Sequence, residues 1–335
     1  SRRFSGNNEV LRELYLISIG RGTSRSIGSP QEGSASVFMT MAQELAAGPN
    51  LQVVLVYMRL AEYILPHAPG LKYALADLSE KLDDPEGAIE IYQSIPQQDP
   101  YYRFAQLRQI DLLSREGEGL RAEALINEGL LIRPDDVELL TRLASLRRVE
   151  NRCKDAVPLY TQALANATQN DQNQWAIYFA RAICLEQIGD WPKAEADLQR
   201  ALRLSPQQAE VLNALGYGWI DRGYNIKQAK SMIETAVEAQ PNNGFIIDSL
   251  GWVHYLTGDY DLAVGYLEQA VSIEPDDPEI NAHLGDAYWK VGRRIEARFK
   301  WQHALEQTTI EDDKVSLKAK LADGLREHAE ATDYR

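Results

Sequence analysis

The sequence predicts an all-α solenoid of about eight helix–turn–helix units closed by a C-terminal helix, and three observations predict it. Small residues recur at a spacing near 34: Ala42, Ala76, Ala144, Ala182, Gly216, Gly251 and Gly285, with Ile110 in the one slot that breaks the rule. The steps are 34, 34, 34, 38, 34, 35 and 34 residues. In most units a second small residue follows twelve positions later and a third seven after that, as in Ala194 and Ala201, Ala263 and Ala270, Ala297 and Ala304. A proline then closes many units, at Pro66, Pro100, Pro134, Pro206, Pro241 and Pro275. A fixed period of this length means supersecondary units stacked in a row, each burying its apolar face on its neighbours. A chain of 335 residues would otherwise suggest about two ordinary domains.

In chain order, residues 1–34 read as an N-terminal helix and a tether. Residues 8–19 place Val10, Leu14 and Ile17 on one stripe, which Leu11 and Tyr15 widen. Gly20 to Ser36 is rich in Gly and Ser with Pro30, the composition of a flexible connection. The helix either folds back as the remnant of an earlier unit or serves as a docking arm offering its apolar face to a partner groove. The chain opens Ser1-Arg2-Arg3 with no Met and no signal-peptide pattern, as expected of a processed product or an excised fragment.

Residues 35–308 carry the eight units. In the unit at 244–275, Leu250, Gly251, His254 and Tyr255 fall at helical spacing. Thr257-Gly258-Asp259 ends that helix, because Gly takes the left-handed turn at no steric cost. Tyr260, Ala263, Leu267 and Ala270 share one face of a second helix, which Pro275 stops for want of an N–H. Gly251 is expected to face Ala263 across the turn, so that the two backbones approach closely. A coiled coil would need a seven-residue rhythm without this Gly and Pro punctuation. Four extra residues in Ala165 to Gln174 read as a polar loop or a helix extension, and one near Tyr224-Asn225-Ile226 lengthens another turn. Residues 309–335 read as a capping helix and tail, with Val315, Ala319, Ala322 and Leu325 among charges. The open end of a solenoid needs such a polar-backed cap.

Composition narrows the function. The net charge is −14, and an acidic chain repels phosphate backbones unless it carries a local basic face. The densest basic runs, Arg147-Arg148 and Arg293-Arg294, are single dipeptides, so no nucleic acid is expected. No run of apolar residues is long enough to span a membrane. Cys153 and Cys184 lie 31 residues apart, far from a CxxC spacing, and at different places in their units; they are expected to be isolated thiols.

No catalytic constellation stands out, and neither an enzyme nor a cofactor is expected. The five histidines are scattered, and no HExxH, GxSxG, P-loop or GxGxxG is present. His283 and Asp286 stand three apart on one helix, a spacing that permits a metal pair; an ordinary surface hydrogen bond is the preferred reading, and no metal site is assigned.

The units resemble the tetratricopeptide repeat family over roughly residues 35–308. The runs that carry the likeness are Leu215-Gly-Tyr-Gly-Trp219, Leu250-Gly-Trp-Val-His-Tyr255 with Gly258-Asp-Tyr-Asp-Leu-Ala263, and Leu284-Gly-Asp-Ala-Tyr-Trp289. The resemblance implies a right-handed superhelix whose first helices line a concave groove. Its partner-binding positions would fall on Asn213 and Tyr217, then Phe245, Asp248, Trp252 and Tyr255, then Asp286 and Trp289. Aromatic side chains are strong binding anchors. The corresponding N-terminal stretch, with Tyr73, Asp77, Glu80, Lys81, Phe104 and Asp111, is more charged. The carboxylate clamp of Lys, Asn and Arg found in one subclass is replaced here by Asp, Tyr, Trp and Phe, which disfavours an acidic tail.

The C-terminal half is also similar to long bacterial tetratricopeptide proteins of the cell envelope, through Trp191-Pro-Lys-Ala-Glu-Ala-Asp-Leu198, Leu212 to Tyr217, Asp248 to Trp252 and His283 to Trp289. That likeness implies a periplasmic or envelope adaptor that binds a carboxyl-terminal processing protease or its substrates. A cytoplasmic location is the alternative compartment. The expected function is a non-catalytic scaffold holding a protein partner in its groove and through Val10, Leu14 and Ile17. The alternative is a structural self-assembler, a homo-oligomer joined by the N-terminal arm.

Overall fold

A computed structural model describes residues 29–46, 48–68, 70–168 and 174–325. Among these residues there are seventeen helices and no strand. The chain divides into two compact units, one ending at Asn166 and the other beginning at Ala167. The first unit holds α1 (Pro30–Leu45), α2 (Leu51–Ile64), α3 (Leu71–Lys81), α4 (Pro85–Gln93), α5 (Tyr102–Arg115), α6 (Gly119–Ile132), α7 (Val137–Val149) and α8 (Cys153–Asn166). The second holds α9 (Gln174–Gln187), α10 (Trp191–Leu204), α11 (Ala209–Asp221), α12 (Ile226–Ala239), α13 (Gly244–Leu256), α14 (Tyr260–Ile273), α15 (Pro278–Lys290), α16 (Arg294–Gln307) and α17 (Glu311–Asp323). Consecutive helices pair into eight hairpins followed by α17. Residues 8–19, with Val10, Leu14 and Ile17, lie outside the described residues. Residues 30–36, expected as tether, are the first turns of α1: Ser29 caps it by accepting from the Glu32 N–H at 3.1 Å, and Pro30 occupies the first turn, where a missing N–H costs nothing.

The hairpin turns repeat as strictly as the small residues. Asp83, Gly117, Asn151, Gly189, Gly223, Gly258 and Gly292 all have positive φ, each seven residues after its unit's small-residue slot. Only Gly takes this conformation freely, and Asn and Asp tolerate it best among the others. The four extra residues of the fourth step fall between Asn166, where α8 ends, and Gln174, where α9 begins.

The small slots exist because a large side chain fills each of them. A Cβ at Gly251 would lie 2.7 Å from Leu267 Cγ, one at Gly285 2.4 Å from Trp301 Cδ1, and one at Gly216 2.8 Å from Ile233 Cγ1. The side chain that enters the gap at Gly251 is Leu267, one turn beyond Ala263, and at Gly216 and Gly285 the carbonyls of the equivalent alanines, Ala229 and Ala297, also come within 3.0 and 3.1 Å of such a Cβ. The same row holds Met58, Tyr92, Ile126, Tyr160 and Leu198, and all eight side chains are at most 2% exposed. Full burial of such a side chain stabilises the fold by about 1.5–3 kcal/mol. Each hairpin thus contributes one large side chain of this row to the buried core.

The cap also differs in its contact face. Leu317 is buried, and Leu321 and Leu325 pack beside it against Trp301 and Leu284, whereas Val315 is exposed. Neither cysteine is an isolated thiol: both are disulfide-bonded and none is free. Cys153 opens a second helix and Cys184 lies late in a first helix.

Candidate functional site

The first helices of the second unit build a concave face. The Tyr217 hydroxyl on α11 donates to Glu279 Oε1 on α15 at 3.2 Å, passing over α13 between them. Beneath that link, His283 Nδ1 on α15 lies 3.0 Å from each carboxylate oxygen of Asp248 on α13, and both residues are buried. Trp252 lies flat between two rings. His283 covers one face (centroids 4.0 Å apart, planes at 16°) and Tyr255 the other (4.6 Å, 7°). Asp286 accepts from Trp301 Nε1 at 2.8 Å and from Lys320 Nζ at 2.8 and 2.9 Å.

Next to this cluster is a cavity of about 550 Å³ between α15, α17 and the edge of Trp252. Its walls are Trp252, Asp277, Pro278, Glu279, Ala282, His283, Asp286, Thr308, Ile310, Asp313, Ser316, Leu317 and Lys320. Burial by itself would lower the pKa of the His283 imidazole; Asp248, with Glu279 and Asp286 farther out, outweighs it, and the net displacement is upward from 6.5. Burial, then Glu279 and Asp248, raises the Tyr217 phenol, and burial with Asp286 raises Tyr255. Each shift favours the protonated ring, and the Tyr217 hydroxyl and the His283 imidazole both lie against a carboxylate.

The structure gathers Tyr217, Asp248, Trp252, Tyr255 and Asp286 of the expected set and leaves three apart. Asn213 is half-buried, with its carboxamide oxygen unpartnered and shielded. Phe245 is 53% exposed and lines a separate open recess with Gln240, Pro241 and Glu274. Trp289 is a packing residue: it meets Trp301 at 5.3 Å, Arg294 and Arg298 lie over its ring, and Gly324 leaves room for it where a Cβ would fall 2.1 Å from Cζ2. His283 and Asp286 bond to different partners, so the pair their spacing permits is not formed. Among the described residues no group of three His, Cys, Asp or Glu could hold a metal ion, and no helix is long and apolar enough to cross a membrane.

Sequence reasoning missed Glu279, Asp313, Ile310 and Lys320. Lys320 had a signal: it falls 34 residues after Asp286, itself 34 after Trp252, so α17 continues the row of first helices. In the first unit the charged first-helix residues neutralise one another. Arg108 pairs with Glu80 at 2.6 Å, Arg142 with Asp111 at 2.7 Å and Lys81 with Asp77 at 2.9 Å. Tyr73, Tyr101 and Phe104 form an aromatic patch beside them.

Residues 141–209 match a family model described as tetratricopeptide repeat, and residues 251–292 one described as TPR repeat. TPR repeat-containing protein PA4667 of Pseudomonas aeruginosa is 28% identical over 214 residues, covering 64% of this chain and 35% of that protein. The chain thus spans about a third of the length of that relative. Aspartyl/asparaginyl beta-hydroxylase of Mus musculus is 34% identical over 107 residues, 31% of this chain and 14% of the hydroxylase. Among solved structures, the APC/C hetero-tetramer Cut9–Hcn1 aligns with a TM-score of 0.62 at 16% identity, over 96% of this chain and 64% of that one. PilF of Pseudomonas aeruginosa aligns with a TM-score of 0.53 at 17% identity, over 65% of this chain and 97% of its own. At these identities the structural likeness establishes the helical repeat fold alone.

Proposed function

The chain belongs to the tetratricopeptide-repeat family, whose members generally mediate protein–protein interactions, and we propose that it is a non-catalytic adaptor gripping a protein partner in the concave face of its second unit. The observation that carries this reading is Trp252. It is held rigid between two rings and turns its edge into a cavity of about 550 Å³. Rigid aromatic walls of this kind bind with little loss of side-chain entropy. Comparative capture from cells with wild type, Trp252→Ala and Leu262→Ala, all checked as folded by circular dichroism, tests it. The partner is expected to be lost with Trp252→Ala alone; equal capture by all three removes the cavity from the account.

The partner we propose is a carboxyl-terminal processing protease or its substrates, in the periplasm or envelope of a bacterium. Support comes from the likeness of the runs between Trp191 and Trp289 to bacterial envelope proteins. The disulfide-bonded cysteines add to it, since such bonds persist in oxidising compartments and are rare in reducing ones. Thiol titration of protein isolated from its native cell and unfolded without reductant is expected to find no free thiol. Two thiols per chain would place it in a reducing compartment.

Self-association is the second reading, and the end of the first unit favours it. Val37 and Met41 on α1 and Val56, Leu60 and Tyr63 on α2 are exposed, at 40–87%, and exposed apolar patches mark contact surfaces. Light scattering of wild type against Val56→Glu/Tyr63→Glu distinguishes the two: a monomer in both ends this reading.

A further inference from the structure

The cavity beside Trp252 has a charge pattern that selects its occupant. Four carboxylates, Asp277, Glu279, Asp286 and Asp313, line it, against one lysine. That lysine, Lys320, is already engaged by Asp286 at 2.8 Å, and the His283 ring is engaged by Asp248 at 3.0 Å. Asp277 caps α15 by accepting from the Ile280 N–H at 2.9 Å, and Glu279 receives only the neutral Tyr217 hydroxyl. Asp277, Glu279 and Asp313 therefore form no ion pair among the described residues, and Glu279 and Asp313 are exposed at the rim. Carboxylates spared from internal pairing raise the local concentration of cations and repel anions.

The rest of the wall is apolar. Ile310 is 58% exposed, Leu317 lies beneath it in the core, and Trp252 adds the edge of its indole. Both faces of that indole are covered, by His283 and Tyr255, so a cation has no open π-face to sit on. An aliphatic stem packs there instead. A side chain with an apolar stem and a cationic head meets both halves of the wall, and Lys and Arg are built this way. A bare metal ion would leave the apolar half unused.

Resting on the reading of the concave face as a polypeptide-binding site, we infer that this cavity takes a cationic peptide segment, its Arg or Lys stem along Ile310 and Trp252 and its head group at Glu279 and Asp313. The occupant is a stretch of a partner protein in which basic residues alternate with aliphatic ones.

Fluorescence anisotropy with three labelled peptides tests this. They share the same Leu and Ala positions and carry Arg, Gln or Glu at the remaining ones. Wild type is expected to bind the Arg peptide about tenfold more tightly than the Gln peptide and the Glu peptide most weakly, with the preference shrinking as salt rises. Glu279→Gln/Asp313→Asn, two exposed and isosteric changes, is expected to abolish the preference for Arg. Trp252→Ala is expected to weaken all binding. If Arg and Gln peptides bind alike and Trp252→Ala weakens both, the cationic inference is overturned while the groove reading stands. A preference for Arg that survives the double variant also overturns it. Absence of binding by any peptide overturns both.

Discussion

Tyr217 and Glu279 are 62 residues apart in the chain and 3.2 Å apart in space. The bond links first helices two hairpins apart across the concave face of the second unit. Tyr217→Phe removes this half-exposed bond and nothing else. The expected cost is about 1 kcal/mol or less, read as a small fall in the denaturation midpoint with the cavity still able to bind. A loss of several kcal/mol would mean that the hydroxyl has another role.

The size of each small slot is a packing constraint. Gly285→Ala places a Cβ 2.4 Å from Trp301 Cδ1 and 3.1 Å from the Ala297 carbonyl, where neither a core indole nor a backbone can give way cheaply. A destabilisation of about 1–3 kcal/mol is expected. Gly265→Ala, in α14 with nothing within 4 Å of the new Cβ, should instead stabilise by about 0.5–1 kcal/mol, because alanine is the better helix former. Urea denaturation of both variants checks this, and equal effects would contradict it.

The His283–Asp248 pair makes stability depend on pH. The folded-state pKa of His283 is raised above 6.5. Its contribution is therefore fully present below about pH 6.5 and is lost as pH rises through the folded-state value. Charged groups facing the ring are Asp248 from α13 and Glu279 and Asp286 from α15 itself. His254, whose pKa is lowered by burial and Lys230, contributes in the opposite sense, so the comparison is with His283→Gln. The stability gap between wild type and that variant should narrow from mildly acid to alkaline pH. A gap independent of pH would show that the imidazole does not carry the charge.

The C-terminal helix is tied down through Asp286, whose carboxylate is 8% exposed and whose partner Lys320 is 23% exposed. Removing one partner of a largely buried pair strands the other. Lys320→Met should cost about 1–3 kcal/mol and raise hydrogen exchange first in residues 311–323. Unchanged protection there would mean that Leu317 alone anchors the helix.

What could be read in advance follows from what repeats. The small slots and the positive-φ turns recur by residue type, so Gly251 and Gly258 disclosed the hairpins. The row from Met58 to Trp301 recurs by volume alone, through Met, Tyr, Ile, Leu and Trp, and a position that changes its chemistry in every unit is hard to see as one position. Trp252, which lines the cavity, could be singled out because it follows the glycine slot directly. The packing of Trp289 against Gly324 was not legible, because Gly324 lies past the last unit, where no repeat phase predicts the chain path. The Asp248–His283 bond joins two hairpins, and local spacing suggested Asp286 as the partner instead. Glu279 and Asp313 were missed because rim positions are defined by where α15 and α17 begin.

The central claim is that the face beside Trp252 holds a polypeptide in the cell. Site-specific photo-crosslinking measures it most directly, with a photoreactive aromatic residue at position 252 inside the cavity or at position 262, where Leu262 is 54% exposed on a second helix. The account predicts a discrete crosslinked protein at 252 and none at 262. The same yield at both positions, or crosslinks at 262 alone, would contradict it.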